Sequence, residues 1–146
     1  MKKIFLLFWI IAISVSCEKS QLDRNFDDDP SIKTIDGTWV VVSYESLKNP
    51  ITRKDDVESW NSLDVTLTFT KDSLYGRNTT NSVMGNYTLS NRNIHIIRYG
   101  GTKMGQPAWG NMFSDAVFKL DSFIINSTQL RFFYNDNMNS VTLRRK

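Results

Sequence analysis

Cysteine and histidine occur once each in 146 residues, as Cys17 and His95. One cysteine excludes a disulfide framework and a thiolate zinc site, and one imidazole excludes any catalytic design that needs two. Three prolines and seven glycines are too few for a collagenous or low-complexity chain. Neither sign of charge dominates, with 18 Lys and Arg against 15 Asp and Glu. Once Lys2 and Lys3 are set aside, 16 basic residues face 15 acidic ones, and without a basic stripe no nucleic-acid partner is expected. The longest apolar run, Ile4 to Ile13, rises ~1.5 Å per residue and covers about half of a ~30 Å hydrocarbon core, too little for a transmembrane helix. What is present is a chain 40% hydrophobic and 12% aromatic, enough to pack one core. Its length matches a single domain on the prior of one per roughly 150 residues.

Lys2 and Lys3 precede the apolar run, and Ser14, Val15, Ser16 and Cys17 follow it. A charged start, an apolar stretch and small residues in that order make a cleavable export signal. Small residues ending in the chain's single Cys resemble a bacterial lipobox, in which the cysteine becomes the lipidated first residue after cleavage. Here Ser14 stands where a large aliphatic residue is usual, with Ile13 one step earlier. Residues 1–16 are therefore expected to be a lipoprotein signal peptide and Cys17 the lipid attachment point. Residues 17–33 are polar and without periodicity, as a flexible tether would be. The mature protein is expected in the cell envelope, held to the membrane, the outer membrane foremost, through Cys17. Asp27, Asp28 and Asp29 lack the preformed geometry a metal site needs and read as solvated linker.

From Asp36 onward the signals are those of short strands. Gly37 to Tyr44 is β-branched and aromatic, and Val65, Leu67 and Phe69 alternate with Thr66, Thr68 and Thr70, the period of a half-buried strand. Further strands fit 74–77, 86–89, 94–99, 122–125, 130–134 and 140–143, separated by Asn-rich turns. One segment follows a different period. Trp109, Met112, Phe113, Ala116, Val117 and Leu120 share one face of a helix, with Pro107 suited to its first turn and Asn111 and Ser114 on the dispensable far side. The expected fold is mainly β: about eight antiparallel strands in a small barrel or sandwich, with one helix packed against it and three strands after the helix.

The chain resembles the META domain family over nearly all of residues 34–146. The residues that carry the likeness are Gly37-Thr38-Trp39, the segment Asn81-Ser82-Val83-Met84-Gly85-Asn86-Tyr87, and Thr102-Lys103-Met104 before the helix. The resemblance implies a small bacterial envelope domain of a kind that includes a heat-shock lipoprotein. It marks Gly37, Trp39, Asn81, Gly85, Tyr87, Thr102 and Met104 as motif positions, either structural or binding. Many members carry cysteines where this chain has Thr80 and Gln106, so the likeness is to a cysteine-free branch. Gly85 is expected to permit a close approach, Tyr87 to bury its ring with the hydroxyl partnered, and Asn81 to pin a turn.

Enzyme chemistry has little to work with. His95 lies within a strand, and no Gly-x-Ser-x-Gly occurs to supply an activated serine. Asp55, Asp56 and Glu58 fall in a polar loop where nothing would raise a carboxyl pKa. No phosphate-cradling glycine loop is present. Neither catalytic residues, nor a metal, nor a cofactor is expected. Two functions of different class remain. One is an envelope interaction module whose partner is a protein, a protease among the candidates. The other is a lipocalin-type carrier of small ligands, because Gly37-Thr38-Trp39 also fits the Gly-x-Trp that opens lipocalin barrels. Ser46 to Leu63 is the longest interval between strands, and Trp60 within it is either an edge cover or a partner contact.

Overall fold

The computed structural model describes residues 26–46, 51–52 and 63–146; the signal segment, Cys17 and Trp60 lie outside them. Among the described residues, β1 (Gly37–Ser46), β2 (Ile51–Thr52), β3 (Val65–Thr70), β4 (Ser73–Asn78), β5 (Asn81–Ser90) and β6 (Asn93–Gly101) precede helix α1 (Ala108–Val117). Strands β7 (Leu120–Ile125), β8 (Gln129–Tyr134) and β9 (Asn139–Arg145) follow it. The order expected from sequence is therefore observed, with the two-residue β2 added. No helix among the described residues is long and apolar enough to cross a membrane.

All pairings are antiparallel. β3 to β6 form a meander, β7 to β9 form another, and β1 joins them by pairing with β3 on one side and β9 on the other. On the remaining side the sheet is almost open, since β6 and β7 share one ladder pair, Asn93 with Ser122. The turns rest on residues that tolerate a left-handed backbone: Asn91 has φ 54°, and Asn135, Asp136 and Asn137 have φ 53°, 56° and 61°. In β3 the alternation is realised as written, with Val65, Leu67 and Phe69 buried and the outward Thr68 sharing a hydroxyl hydrogen bond of 2.9 Å with Thr38.

Trp39, Phe69, Phe123 and Phe132 are fully buried inside the curled sheet, with Phe132 lying 5.8 Å from Phe69 and 6.3 Å from Phe123. Each such side chain contributes roughly 1.5–3 kcal/mol of burial. A lipocalin-type carrier needs a lumen in this space, and aromatic side chains fill it.

Three expectations need correction. β5 begins at Asn81, five residues before the expected start, because Asn81, Val83, Gly85 and Tyr87 alternate inward as one continuous strand. The helix stops at Val117, so Leu120 buries its side chain from β7 instead of from the helix, and Pro107 is the N-cap, its carbonyl accepting from the Gly110 and Asn111 N–H groups. Residues 26–33, read as part of a free tether, are docked. Phe26 is buried under the Arg131 guanidinium, and Asp28 accepts from the Ile125 N–H at 2.9 Å and pairs with Arg92 at 2.9 Å. Arg92 also donates to the carbonyls of Asp29 and Ile32. A run of aspartates solvated in isolation is thus held by an arginine presented from the distant β5–β6 turn.

Candidate functional site

The family-motif residues divide into two groups. Gly37 and Trp39 belong to the scaffold: the Trp39 indole donates to the Ile35 carbonyl at 2.8 Å, and the Arg145 guanidinium lies 4.3 Å over its ring. Gly85 also serves packing, since a Cβ there would sit 2.2 Å from the Arg98 carbonyl oxygen, next to the bulge where β5 and β6 change register. Tyr87 stacks edge-on against Phe69 at 5.5 Å. Its hydroxyl, expected to find a partner, makes no hydrogen bond among the described residues. Burial, helped by Asp36 and Asp72, pushes its pKa up to about 12.

Asn81, Thr102 and Met104 come together at the far end of β5. Six residues of strand at ~3.3 Å each separate Asn81 from Tyr87 by about 20 Å, so Tyr87 takes no part in this cluster. Asn81 Oδ1 accepts from the Met104 N–H at 2.7 Å and the Thr102 hydroxyl at 3.1 Å. Its Nδ2 donates to the Met104 carbonyl at 3.0 Å and to Gln106 Oε1 at 2.9 Å. One buried amide thereby fixes the whole segment from β6 to α1. Thr80 adds a hydroxyl bond to the Gly105 carbonyl at 2.9 Å. Thr80 and Gln106 thus stand on facing segments joined by polar bonds.

This segment, the end of β6 and one face of α1 border an open cleft of about 620 Å³. Its base is Asn78, buried where α1 approaches so closely that a Cβ on Gly110 would lie 2.9 Å from Asn78 Oδ1. Asn78 Nδ2 donates to the Gly110 carbonyl at 3.0 Å and to Ser114 Oγ at 2.8 Å, which fixes the amide orientation. Gln106 Nε2 joins the same belt through Asn111 Oδ1 and Ser114 Oγ. Asn111 and Ser114 are therefore not the dispensable face of the helix that its periodicity suggests. The Tyr99 hydroxyl lies beside the Asn78 amide, which acts on it as a side-chain hydrogen-bond partner. Burial pushes the Tyr99 phenol up to about 12, with the Asn78 amide acting weakly in the other direction.

Among the described residues lining the cleft, Lys103 is the one fully charged side chain. His95 is exposed and faces Thr88 at the other end of β6. Apart from Lys103, the cleft is lined mainly by amides, hydroxyls and bare main chain, which donate and accept hydrogen bonds. Asn78, Tyr99, Gln106 and Ser114 carry no motif by themselves. The one sequence signal is the polar run Asn78-Thr79-Thr80-Asn81 between two strands, which reads equally well as a turn.

Residues 32–146 match the family model of the META domain. No curated protein matches the chain. Among solved structures, the chain is similar to a protein from Burkholderia xenovorans determined by NMR, with a TM-score of 0.67 and 19% identity over 83% of this chain and 90% of that one. It is also similar to a DUF4847 family protein from Bacteroides vulgatus, with a TM-score of 0.54 and 18% identity over 75% of this chain and 92% of that one. At these identities the likeness is one of fold.

Proposed function

Because the chain belongs to the META domain family, we propose that it is a non-enzymatic binding module of the bacterial cell envelope, held to the membrane by lipid on Cys17. The observation that carries the reading is the chemistry of the cleft: polar groups fixed by one another, a phenol that stays protonated at neutral pH, and no titratable pair. Such a surface recognises and does not turn over. Export and anchoring are supported by the Lys2-Lys3 start, the apolar run and the small residues before Cys17. The partner is an envelope protein, with a protease as one candidate class.

Two measurements test this. Cys17→Ser should shift the protein from the membrane fraction to a soluble or unprocessed form; a variant that fractionates with lipid like its parent removes the anchor. A photo-crosslinking phenylalanine analogue at the exposed Met104, on the cleft rim, should yield a discrete protein adduct in intact cells, and a matched analogue at the exposed Met138, on the β8–β9 turn away from the cleft, should not. Equal labelling from both positions, or from neither, would count against a binding role for the cleft.

A further inference from the structure

Residues 26–33 are bound to one pole of the body. Asp29 donates its N–H to the Ile125 carbonyl at 2.7 Å, and the Asp28 carboxylate accepts from the Ile125 N–H at 2.9 Å. The main chain of β7, which has one ladder pair with β6, thus finds further partners in this segment. Arg92 closes the other side, with bonds of 2.9 and 3.2 Å to Asp28 Oδ2 and of 2.7 and 2.8 Å to the carbonyls of Asp29 and Ile32. Phe26 is buried, with the Arg131 guanidinium 5.1 Å from its ring centre. These contacts gather beyond the Asn93 end of β6, where Arg92 and β7 meet. The cleft, lined by Gly100 and Gly101, lies at the opposite end of the same strand. Eight strand steps from Asn93 to Gly101 at ~3.3 Å each set the two poles about 26 Å apart.

Resting on the lipid-anchor reading above, we infer that residues 26–33 are an orienting strap, which holds the body so that its cleft faces away from the bilayer and towards a partner on the aqueous side. The reason is reach. From Cys17 to Phe26 the chain has nine Cα steps, which span at most about 30 Å. To bring the cleft against the membrane, those steps would have to run back along about 26 Å of body and use almost their whole length. With the strap undocked, the tether would extend to Thr34, just ahead of the buried Ile35. Its seventeen steps from Cys17 would reach about 60 Å, and either pole could then meet the lipid. Docking thus halves the available tether, and that halving decides the orientation. The occupant of the cleft is accordingly a protein surface presented from water. Lipid headgroups and bilayer-embedded segments lie out of its range.

The test uses the mature lipidated chain inserted into preformed vesicles of phosphatidylethanolamine and phosphatidylglycerol that carry a rhodamine-headgroup acceptor. Cys17 is the chain's one cysteine and its thiol is taken by lipid, so Met104→Cys or Ser127→Cys supplies a single labelling site. Met104 is exposed on the cleft rim and Ser127 is exposed on the β7–β8 turn at the strap's pole. A donor dye on Ser127→Cys should transfer energy to the acceptor at least about twofold more strongly than the same dye on Met104→Cys, as a height difference of about 26 Å requires. Arg92→Ala, which frees the strap, should bring the two transfers together. So should about ten Gly and Ser residues inserted ahead of Phe26, which add about 35 Å of reach and leave the docked contacts in place. Equal transfer from the two sites in the parent, stronger transfer from Met104→Cys, or a difference that survives either change would each overturn the inference. A protein that stays in the aqueous phase with no lipid on Cys17 would refute the anchor itself, whereas equal transfer from a membrane-bound protein refutes the orientation and leaves the anchor standing.

Discussion

Replacing Asn81 with alanine removes four hydrogen bonds that hold the segment between β6 and α1. Asn81 is itself buried, whereas Thr102 and Met104 are exposed, so water can take over part of what the loop groups lose. At about 0.5–1.5 kcal/mol net per bond, four bonds set a ceiling near 6 kcal/mol; with half of that replaced by water, a loss of about 2–3 kcal/mol is expected. For a domain of this size about 4 °C accompanies each kcal/mol, which places the melting temperature roughly 8–12 °C below the parent. Asn86 is the control. It is an exposed asparagine on the same strand with two long contacts of 3.5 and 3.3 Å, and Asn86→Ala should melt within about 2 °C of the parent. Circular dichroism gives the melting temperatures, and hydrogen exchange at the Met104 amide gives the local effect, which should be a loss of protection in Asn81→Ala alone. Equal melting of the two variants, with the Met104 amide still protected, would refute the claim that this one side chain organises the cleft wall.

Other perturbations separate core from surface. Phe113→Ala removes a ring fully buried between the helix and the sheet and should cost about 3–5 kcal/mol, while Phe118→Ala, 62% exposed one residue after the helix, should cost less than about 1; comparable denaturant midpoints would contradict the helix packing. Arg92→Ala should release residues 26–33, seen as faster proteolysis ahead of Ile35 with the sheet intact and a stability loss of about 1–2 kcal/mol from the lost carbonyl bonds and partly exposed ion pair. Because the Tyr87 phenol titrates near 12 when folded against 10 when unfolded, its contribution is whole below pH 10 and is lost as pH rises from 10 through 12. Tyr87→Phe should therefore be at least as stable as the parent at pH 8 and lose less stability than the parent at pH 10.5, measured by thermal unfolding; an unchanged alkaline slope would show that Tyr87 is not responsible.

The secondary structure was legible because most of it is written in local periods. Val65 to Thr70 alternates strictly, the asparagine clusters mark turns that need left-handed backbone, and the stripe from Trp109 to Val117 has one helical face. Boundaries were harder wherever an inward position holds a polar or small residue. Asn81 and Gly85 point into the molecule, yet neither looks like core, so the first half of β5 is invisible to hydrophobic alternation. Leu120 shows the reverse problem, since a leucine at helical spacing also fits the first inward position of the next strand.

By itself, the sequence determined a mainly β domain with a single helix before its last three strands, and the family likeness. Those properties depend on composition and on contacts between near neighbours, which a linear reading can follow. The cleft depended on the tertiary structure. It joins Asn78 from the end of β4, Asn81 from the start of β5, Tyr99 from β6, Gln106 from a loop and Ser114 from α1, and such a group exists only after the sheet has curled and the helix has closed onto it at Gly110. The same is true of Asp28, whose pairing with Arg92 spans 64 positions and turned an apparent linker into part of the body. A hydrogen bond between residues far apart in the chain follows from where the backbone is placed in space, and no local pattern of residue types records that placement.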